Sequence, residues 1–313
     1  MYIGIDLGGT NIAVGLVDRK GKIVMKASCP TGRERDWKEI VKDMALLSKK
    51  VVEKAGYSLD EIKAVGIGSP GTIDTKRGIV VYANNLKMEN APVADEFRKY
   101  IDVPVHMEND ANAAAFGEYV AKGEKCDSYV FMTLGTGVGG GIVIGGKIYR
   151  GFNFAGAEIG HTVINVDGEE CSCGRKGCLE AYASVTALIN QTKKKMEECP
   201  DSIMHAWVKE KGAVNGRCAF ECAKRGDKAA IEIRDKYIEY VAVGATNMIN
   251  IFQPQMLVIG GGISREGDVI LNPVREYLKT NDYNRFMAHT KVEIASLYND
   301  AGIVGAAMAA MEE

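Results

Sequence analysis

Short apolar runs in this chain alternate with longer stretches in which apolar and polar residues follow a helical spacing. Between 36 and 56, Ile40, Met44, Leu47 and Val51 recur every three or four residues, as on the buried face of an amphipathic helix. Runs rich in Val and Ile that end in glycine are typical of buried strands. The pattern predicts strands at 1–7, 12–18, 23–27, 62–67, 103–107, 129–134, 141–144, 147–149, 256–259 and 291–295, and helices at 36–56, 111–119, 179–198, 227–252, 267–279 and 300–311.

The order of these elements indicates two halves of similar build. Strands joined by a glycine turn are followed by helix and strand, and the same order begins again after about residue 125. Alternation of this kind favours an α/β fold. We expect a small α/β lobe at 1–112 that also includes a C-terminal helix near 299–313, and a large α/β lobe at 113–298.

Length, charge and hydropathy restrict the class of protein. A chain of 313 residues fits about two domains of ~150 residues. Its 39 Lys and Arg nearly balance 41 Asp and Glu, which argues against attachment to nucleic acid through phosphate attraction. No apolar run approaches the ~20 residues that span a bilayer, and no secretion signal follows Met1. We therefore expect a cytoplasmic protein with no membrane partner and with reduced cysteines.

Glycine is enriched and is concentrated at strand ends. The chain has 36 glycines in 313 residues (36/313, about 11.5%), against about 7% in average proteins. The first cluster follows the first predicted strand and reads DLGGTN at 6–11. Exposed glycine amides form anion nests for phosphate, and a neighbouring carboxylate can hold Mg²⁺. A hairpin turn that needs glycine for a positive φ explains this loop equally well.

The second glycine cluster reads TLGTGVGGG at 133–141 and contains a G-x-G-x-x-G match at Gly135, Gly137 and Gly140. A dinucleotide-binding fingerprint must open a helix, yet the residues that follow are β-branched and strand-like. We therefore interpret this segment as a β-hairpin phosphate loop. This context disfavours a nicotinamide-dependent dehydrogenase.

A third cluster, GGG at 260–262, lies between a predicted strand and a helix. Bare backbone here could admit the base and ribose of a nucleotide, while tight packing of strand against helix explains the glycines equally well. The sequence has neither a G-x-x-x-x-G-K-[ST] P-loop nor the His-Arg-Asp and Asp-Phe-Gly motifs of protein kinases, so both classes are excluded.

One histidine and three cysteines follow metal-ligand spacing. His161, Cys171, Cys173 and Cys178 read H-x₉-C-x-C-x₄-C, which is a Cys₃His donor set. Four protein ligands fill the coordination sphere of zinc and leave no position for a reactive water, so we predict a structural Zn²⁺ site. The alternative is a chance cluster of reduced thiols, which usually occupy apolar cores.

Taken together, the glycine loops and the carboxylate at position 6 resemble the sugar kinase, actin and Hsp70 superfamily. The resemblance implies a two-lobed ribonuclease H-like (actin-like ATPase/sugar kinase) fold, with ATP and sugar in the interdomain cleft. It also implies that Mg²⁺ accompanies ATP. The ATP-binding residues implied by the resemblance are Asp6, Gly8, Gly9, Thr10, Asn11, Thr133, Gly135, Thr136, Gly137, Gly261 and Gly262.

The segments EIGH at 158–161 and CSCGRKGCLE at 171–180 are more specific, and they resemble the signature of the ROK family. That family contains bacterial glucokinases, other hexose and N-acetylhexosamine kinases, and sugar-responsive repressors. Its repressors carry a DNA-binding helix-turn-helix before the first strand, whereas this sequence starts at that strand, so it resembles the kinase branch. The resemblance implies a cytoplasmic homodimer or homotetramer.

The activity implied is ATP-dependent phosphorylation of a hexose at the 6-hydroxyl, with glucose to glucose 6-phosphate as the first expectation. The alternatives within the family are a kinase for N-acetylmannosamine, fructose, mannose or allose, and a non-catalytic sugar-sensing regulator. Phe152 and Phe154 stand where relatives often have smaller residues, which leaves the preferred sugar open.

Asp110 is the candidate general base. It follows a predicted strand and precedes a helix, so spacing alone supports a helix N-cap and a catalytic role equally. The Asn-Asp-Ala-Asn motif of the ROK family supplies the catalytic aspartate, which favours the second role. Isolated glutamates are usually solvated surface residues, and only the resemblance places them at the sugar. The sugar-binding residues that it implies are Asn109, Asp110, Glu158, His161, Glu180, Gly71 and Asn84.

Overall fold

The computed structural model describes residues 1–123, 126–284 and 286–312 and contains two compact units. The first unit comprises Met1–Asp127, Gly141–Ala157 and Ser296–Glu313, and the second comprises Ser128–Gly140 and Glu158–Ala295. The lobe boundaries expected from the sequence stay a prediction. Residue 313 of the expected C-terminal helix and residues 124, 125 and 285 of the expected large lobe lie outside the described residues.

Thirteen strands and ten α-helices are present in the described residues. The strands are β1 Tyr2–Leu7, β2 Asn11–Val17, β3 Ile23–Pro30, β4 Ala64–Ser69, β5 Thr72–Asp74, β6 Ile79–Ala83, β7 Met88–Ala91, β8 Val105–Asn109, β9 Ser128–Leu134, β10 Val138–Ile144, β11 Lys147–Ile148, β12 Met256–Gly260 and β13 Lys291–Ile294. The helices are α1 Trp37–Lys54, α2 Val93–Arg98, α3 Asp110–Lys122, α4 Glu180–Ala183, α5 Val185–Glu198, α6 Met204–Lys211, α7 Cys218–Lys224, α8 Lys228–Phe252, α9 Asp268–Asn281 and α10 Ala301–Glu312.

The first unit is built on a five-stranded sheet in the order β3-β2-β1-β4-β8. The antiparallel strands β1, β2 and β3 come from consecutive hairpins, and β4 and β8 add in parallel to β1. Parallel neighbours end at the same edge of a sheet, so residues that follow β1, β4 and β8 come together there. This edge carries Asp6 and Asp110.

Helix α10 covers this sheet at very short range. All residues from Ala301 to Ala310 are buried, because the helix is apolar on every face and consists mainly of Ala and Gly. A Cβ added at Gly4 would overlap the carbonyl oxygen of Ile303, and one at Gly66 would overlap that of Ala306. The two glycines thus let the helix backbone lie directly on β1 and β4. Among the helices of the described ranges, none combines the length and apolar character needed to cross a membrane.

A small antiparallel sheet, β5-β6-β7, followed by α2, also belongs to the first unit. The sequence pattern did not predict these elements. The strands are three to five residues long and alternate apolar with polar positions only briefly, as in the burial of Ile79–Ala83. Runs of this length give too few repeats to reveal a period.

In the second unit, β12 lies parallel to both β9 and β13 and pairs with each. β10 follows β9 through the second glycine cluster, and its residues from Gly141 onward belong to the first unit. There β10 pairs antiparallel with β11. The predicted continuous helix at 179–198 is wrong, since Ser184 is extended (ψ 160°) and separates α4 from α5. The Ser184 hydroxyl accepts a hydrogen bond from the Ala187 amide at 3.0 Å and so caps the start of α5.

Candidate active site

Three strands of the first unit end in register at the predicted catalytic edge. Asp6 of β1 pairs with Gly68 of β4, and Gly68 in turn pairs with Glu108 of β8. A Cβ added at Gly68 would lie 3.7 Å from the Cα of Asp110, so β4 passes directly beside the first turn of α3. This register brings Asp6 and Asp110 to one strand edge, and their roles at a nucleotide and sugar site stay predictions.

The cap of α3 is Asn109, not Asp110. The Asn109 side-chain oxygen accepts hydrogen bonds from the amides of Ala111 at 2.9 Å and Asn112 at 3.1 Å. Asp110 is the first residue inside the helix, where its Oδ1 accepts a hydrogen bond from the adjacent Ala111 amide at 2.8 Å. The helix start is therefore already satisfied by Asn109, which removes capping as the reason for a carboxylate at position 110.

Both carboxylates of this edge have pKa values above the ordinary range. Burial, followed by the negative charge of Asp110, raises the pKa of Asp6 to about 6. Burial raises the pKa of Asp110 as well, against the opposing effect of its backbone hydrogen bonds. Gly302 at the start of α10 contributes to this burial, because a Cβ there would lie 2.8 Å from Cγ of Asp6. Two acids with raised pKa values at one strand edge are typical of a site that binds cations and moves protons.

The other sugar-binding candidates of the first unit lie around Asn109. Its side-chain nitrogen donates to the carbonyl oxygen of Gly71 at 3.1 Å. Gly71 has φ +98°, and a Cβ there would overlap the Tyr82 carbonyl, so the local fold alone requires glycine. Asn84 is exposed, and its Oδ1 accepts a hydrogen bond from the Tyr82 hydroxyl at 3.4 Å.

The first glycine loop is a tight turn between β1 and β2. The Gly8 amide donates to the Asn11 carbonyl at 2.9 Å, so it closes the turn itself. Thr31, which follows β3, holds the loop. Its hydroxyl donates to the Gly8 carbonyl at 2.7 Å and its amide to the Thr10 carbonyl at 2.8 Å. Across the described ranges, the amides of Gly9 and Thr10 donate to no protein group. The loop can therefore be both a glycine hairpin turn and a phosphate nest, because the turn leaves two amides for an anion.

The second glycine loop repeats this arrangement in the second unit. The Gly135 amide donates to the Gly137 carbonyl at 2.9 Å, and its carbonyl accepts from the Val185 amide at 2.8 Å. The Thr186 hydroxyl donates to the Thr136 carbonyl at 2.7 Å, so the start of α5 supports the hairpin from one side. Of the amides in this turn, those of Thr136 and Gly137 make no hydrogen bond within the described residues. The segment is a hairpin, as the sequence predicted.

The third glycine cluster differs at each position. Thr133 pairs with Gly260 at the end of β9 and β12. Gly261 has φ +86°, and a Cβ there would overlap the backbone of Leu134, so close packing accounts for this glycine. Gly262 has no atom within 4 Å of an added Cβ. Only Gly262 therefore leaves open space for a ligand, and nucleotide contacts at 261 and 262 stay predictions.

The predicted metal ligands converge in the second unit. One donor atom from each of His161, Cys171, Cys173 and Cys178 lies within 4.8 Å of all the others. Nδ1 of His161 is 3.7 Å from Sγ of Cys171, and Sγ of Cys173 is 3.7 Å from Sγ of Cys178. Ligands of a tetrahedral zinc ion with bonds of ~2.3 Å are about 3.8 Å apart, so the donor set fits zinc.

Arg175 orients this cluster and favours thiolate. Its guanidinium donates to the carbonyl of His161 at 2.7 Å. Hydrogen bonds from its backbone and side chain lower the pKa of Cys173 to about 6, whereas burial and the neighbouring thiols raise that of Cys178 to about 12. A bound cation would favour the thiolate form of all three cysteines.

The two predicted sugar-binding glutamates of the second unit have different surroundings. Glu158 is exposed and precedes the short 3₁₀ helix Ile159–His161. Glu180 begins α4, where its Oε1 accepts from the Ser172 hydroxyl at 2.9 Å and its Oε2 from the Val138 amide at 3.0 Å. Both oxygens of Glu180 therefore have protein partners, which the sequence alone did not indicate.

The sequence also did not predict a buried ion pair behind the edge that carries Asp6 and Asp110. Glu108 is 1% exposed, and its Oε2 accepts from Nε of Arg150 at 2.7 Å. Its Oε1 accepts from the Asn109 amide at 3.0 Å and the Asn112 side chain at 3.2 Å. Burial raises the pKa of Glu108, but His106 and Arg150 outweigh it, so its pKa lies below the ordinary range. Glu108 thus stays charged and holds the turn that carries Asp110.

The ROK family profile matches residues 2–313. The chain belongs to the ROK family. A glucokinase of Thermotoga maritima is 38% identical to this ROK protein over 309 residues, covering 97% of this chain and 95% of the relative. The xylose repressor of Caldicellulosiruptor bescii is 31% identical over 308 residues, covering 97% of this chain and 76% of the repressor.

Structural comparison agrees with the family assignment. The crystal structure of a ROK family glucokinase from Streptomyces griseus, in complex with glucose and AMPPNP, is 34% identical and superposes with a TM-score of 0.85. The match covers 100% of this chain and 99% of that one. The expected fold is thus confirmed: this ROK protein has the two-lobed ribonuclease H-like fold of actin-like ATPases and sugar kinases.

Proposed function

We propose that this ROK protein transfers the γ-phosphoryl group of ATP to the 6-hydroxyl of a hexose, with glucose as substrate and glucose 6-phosphate as product. Asp110 carries the proposal, since it is a half-buried carboxylate with a raised pKa and no capping duty. The glucokinase of Thermotoga maritima and the glucose and AMPPNP complex from Streptomyces griseus support this choice of substrates. The product would enter glycolysis.

In the proposed reaction, Asp110 accepts the proton of the sugar hydroxyl as the oxygen attacks the γ-phosphorus in line. Burial favours this role, because a carboxylate with a raised pKa is a stronger base. Glu108 and Asn109 hold the start of α3 and so fix where the base points. Such positioning is a large part of catalysis in phosphoryl transfer.

Asp6 would hold Mg²⁺, directly or through water. Burial, and then the negative charge of Asp110, raise the pKa of Asp6, and a divalent cation would offset both effects. When bound, Mg²⁺ neutralises charge that develops on the phosphates. Asn11, which begins β2 after the first glycine loop, would also contact ATP. The free amides of Gly9, Thr10, Thr136 and Gly137 would bind phosphate oxygens, while Gly262 would leave room for the nucleoside.

For the sugar we propose hydroxyl contacts from the residues that the family motif indicates. Carboxylate and amide groups suit a ring of hydroxyls because they accept and donate hydrogen bonds in fixed directions. Phe152, with an exposed fraction of 97%, and Phe154, with φ +63°, add apolar bulk to the segment before Glu158. The proposed contacts are Asn109, Asp110, Glu158, His161, Glu180, Gly71 and Asn84.

We also propose a structural Zn²⁺ ion on His161, Cys171, Cys173 and Cys178, because the donor geometry fits it. A cytoplasmic location, a homodimer or homotetramer, and the absence of nucleic-acid or membrane partners complete the proposal. A reducing compartment would keep the zinc thiolates reduced.

The decisive test replaces Asp110 with Asn. We expect the variant to bind glucose but to lose at least about 100-fold in kcat, because general base catalysis contributes about that much or more. Asp268→Asn is the matched control, since Asp268 is also the first residue of a helix and is exposed. Coupled ADP release measures turnover and calorimetry measures glucose binding. An Asp110→Asn variant with ordinary turnover would remove this residue as the base.

A panel of sugars in the same assay tests the substrate. Glucose is expected to give the highest kcat/KM, ahead of N-acetylmannosamine, fructose, mannose and allose. A different sugar in first place would change the substrate and keep the reaction. Sugar binding without ADP release from any of them would instead support a sugar-sensing regulator. The similarity to the xylose repressor of Caldicellulosiruptor bescii is the observation that favours this second candidate.

A further inference from the structure

The metal-ligand cluster and the second glycine hairpin are joined by one side chain. Ser172, between two of the cysteines, donates to Oε1 of Glu180 at 2.9 Å, and Sγ of Cys171 lies 3.8 Å from the same oxygen. The other oxygen of Glu180 accepts the Val138 amide at 3.0 Å. A single carboxylate thus links the cysteine loop to the first residue of β10.

The hairpin is shaped to receive this carboxylate. A Cβ added at Gly137 would overlap Oε2 of Glu180, so with glycine at this position the carboxylate can lie directly against the turn. This contact accounts for a glycine at position 137 whether or not the hairpin binds phosphate. The carboxylate of Glu180 therefore packs directly beside the residue that carries one of the two free amides.

The histidine side of the cluster reaches the same residue by a second route. Gly160, adjacent to His161, packs so closely that an added Cβ would overlap the Val138 carbonyl. Val138 is therefore touched by both chain segments that carry metal ligands, at its amide through Glu180 and at its carbonyl by Gly160. An ion that fixes those segments relative to each other would also fix Val138.

We propose that Ser172 is a positioning residue that, through Glu180, couples metal occupancy of the His161 and cysteine cluster to nucleotide binding at the second glycine hairpin. The inference deepens the proposed function and rests on it for the identity of the hairpin ligand. Metal binding orders the cysteine loop, Ser172 then holds Glu180, and Glu180 holds the Val138 amide. The neighbouring free amides are thereby kept in one arrangement for phosphate.

The test measures the dissociation constant of a non-hydrolysable ATP analogue, AMP-PNP, by calorimetry in the absence of sugar. Native protein is compared with and without zinc, the metal being removed by a chelator and its content measured. We expect zinc removal to weaken AMP-PNP binding about tenfold, the size of one hydrogen bond to a charged group. Because coupling between two sites is reciprocal, AMP-PNP should tighten zinc binding by the same factor in a chelator competition.

Ser172→Ala separates this coupling from a loss of folding, since it removes no metal ligand. With zinc fully bound, the variant is expected to bind AMP-PNP about tenfold more weakly than native protein and to respond little to zinc removal. Ser172→Thr keeps the hydroxyl and should restore native binding. Thr186→Ala is the matched control: it removes a support of the hairpin that does not involve the cluster, so its zinc dependence should be native.

Native AMP-PNP affinity in zinc-loaded Ser172→Ala would overturn the proposal, as would unchanged affinity in folded, zinc-free native protein. Hydrogen exchange of 135–140 provides an independent measurement, with faster exchange expected in Ser172→Ala. Failure of the proposed function has a different result. Zinc-loaded native protein would then release no ADP with any hexose, while the linkage between zinc and AMP-PNP could still be measured.

Discussion

Asp6 and Asp110 place like charges at one strand edge, where neither is fully hydrated. A buried carboxylate with a raised pKa opposes folding once it ionises. Asp6 has an ordinary value of 3.8 and a folded value of about 6, so its effect on the free energy of unfolding is favourable below about pH 4 and is lost as the pH rises through 6. At neutral pH the charged form of Asp6 costs up to roughly 3 kcal/mol.

Asp6→Asn is therefore expected to stabilise the protein while it removes activity. The gain over native protein should be about 2–3 kcal/mol at pH 8 and should vanish near pH 4, because native Asp6 is then protonated. Urea unfolding at several pH values measures the difference. Asp60→Asn, at an exposed position, is the control and should leave stability unchanged at every pH. A gain that does not depend on pH would contradict the electrostatic explanation.

The convergence of metal ligands was predictable from sequence because it depends on spacing. The partners of individual side chains were not, because they depend on the direction in which each side chain points. The cysteines and histidine converge as their spacing predicts. Asn109 and Asp110 are both good capping residues one position apart, so only the backbone could show which of them caps α3. Likewise, nothing in the sequence pairs Glu180 with Val138, because that contact joins residues 42 positions apart.

At the scale of elements, apolar periodicity predicted the long helices and central strands, and failed where elements are short. Asp227 caps α8 at the predicted start, and α10 covers its predicted span to within a residue. The pattern did not predict the β5-β6-β7 sheet or the break at Ser184, since each depends on a few backbone angles rather than on a repeated pattern. Glycine correctly indicated the loops, but it also occurs where two elements pack with their backbones in contact.

Gly305 tests the closeness of one such contact. A Cβ at Gly305 would overlap the backbone oxygen of Ala113, so Gly305→Ala must push α10 away from α3. We expect a loss of about 3 kcal/mol in the free energy of unfolding, despite the better helix propensity of alanine. Gly56→Ala is the control, as it has φ +79° but open space, and should lose only about 1 kcal/mol. Equal losses, measured by urea unfolding, would show that packing is not the cause.

At the scale of the whole molecule, the repeated strand and helix order predicted an α/β fold, which the structural comparison confirms. The compact units are not continuous in sequence, because the chain passes from one unit to the other four times. The segment Ser296–Glu313 joins a unit from which a long stretch of the second unit, Glu158–Ala295, separates it in sequence. The hydrophobic pattern indicates local secondary structure. It does not indicate which distant segments pack into the same unit.

Zinc should bind once per molecule and stabilise only one unit. Native protein is expected to contain about one zinc per chain by mass spectrometry, and Cys178→Ser should lose it. Cys29→Ser, a cysteine of β3 outside the cluster, is the control and should retain the metal. Zinc removal should speed hydrogen exchange at 158–179 and leave β1 and β4 unchanged. Equal acceleration in both units would contradict a local structural role.

The burial of α10 has a consequence for the order of events during synthesis. Its partners β1 and β4 leave the ribosome more than 200 residues before it does (301 − 69 = 232). Throughout that interval the part of the first sheet that α10 later covers is exposed, and the glycines there leave bare backbone. The nascent chain is thus most exposed to aggregation and to chaperones just before translation of 301–312, and it gains its final stability in one late step.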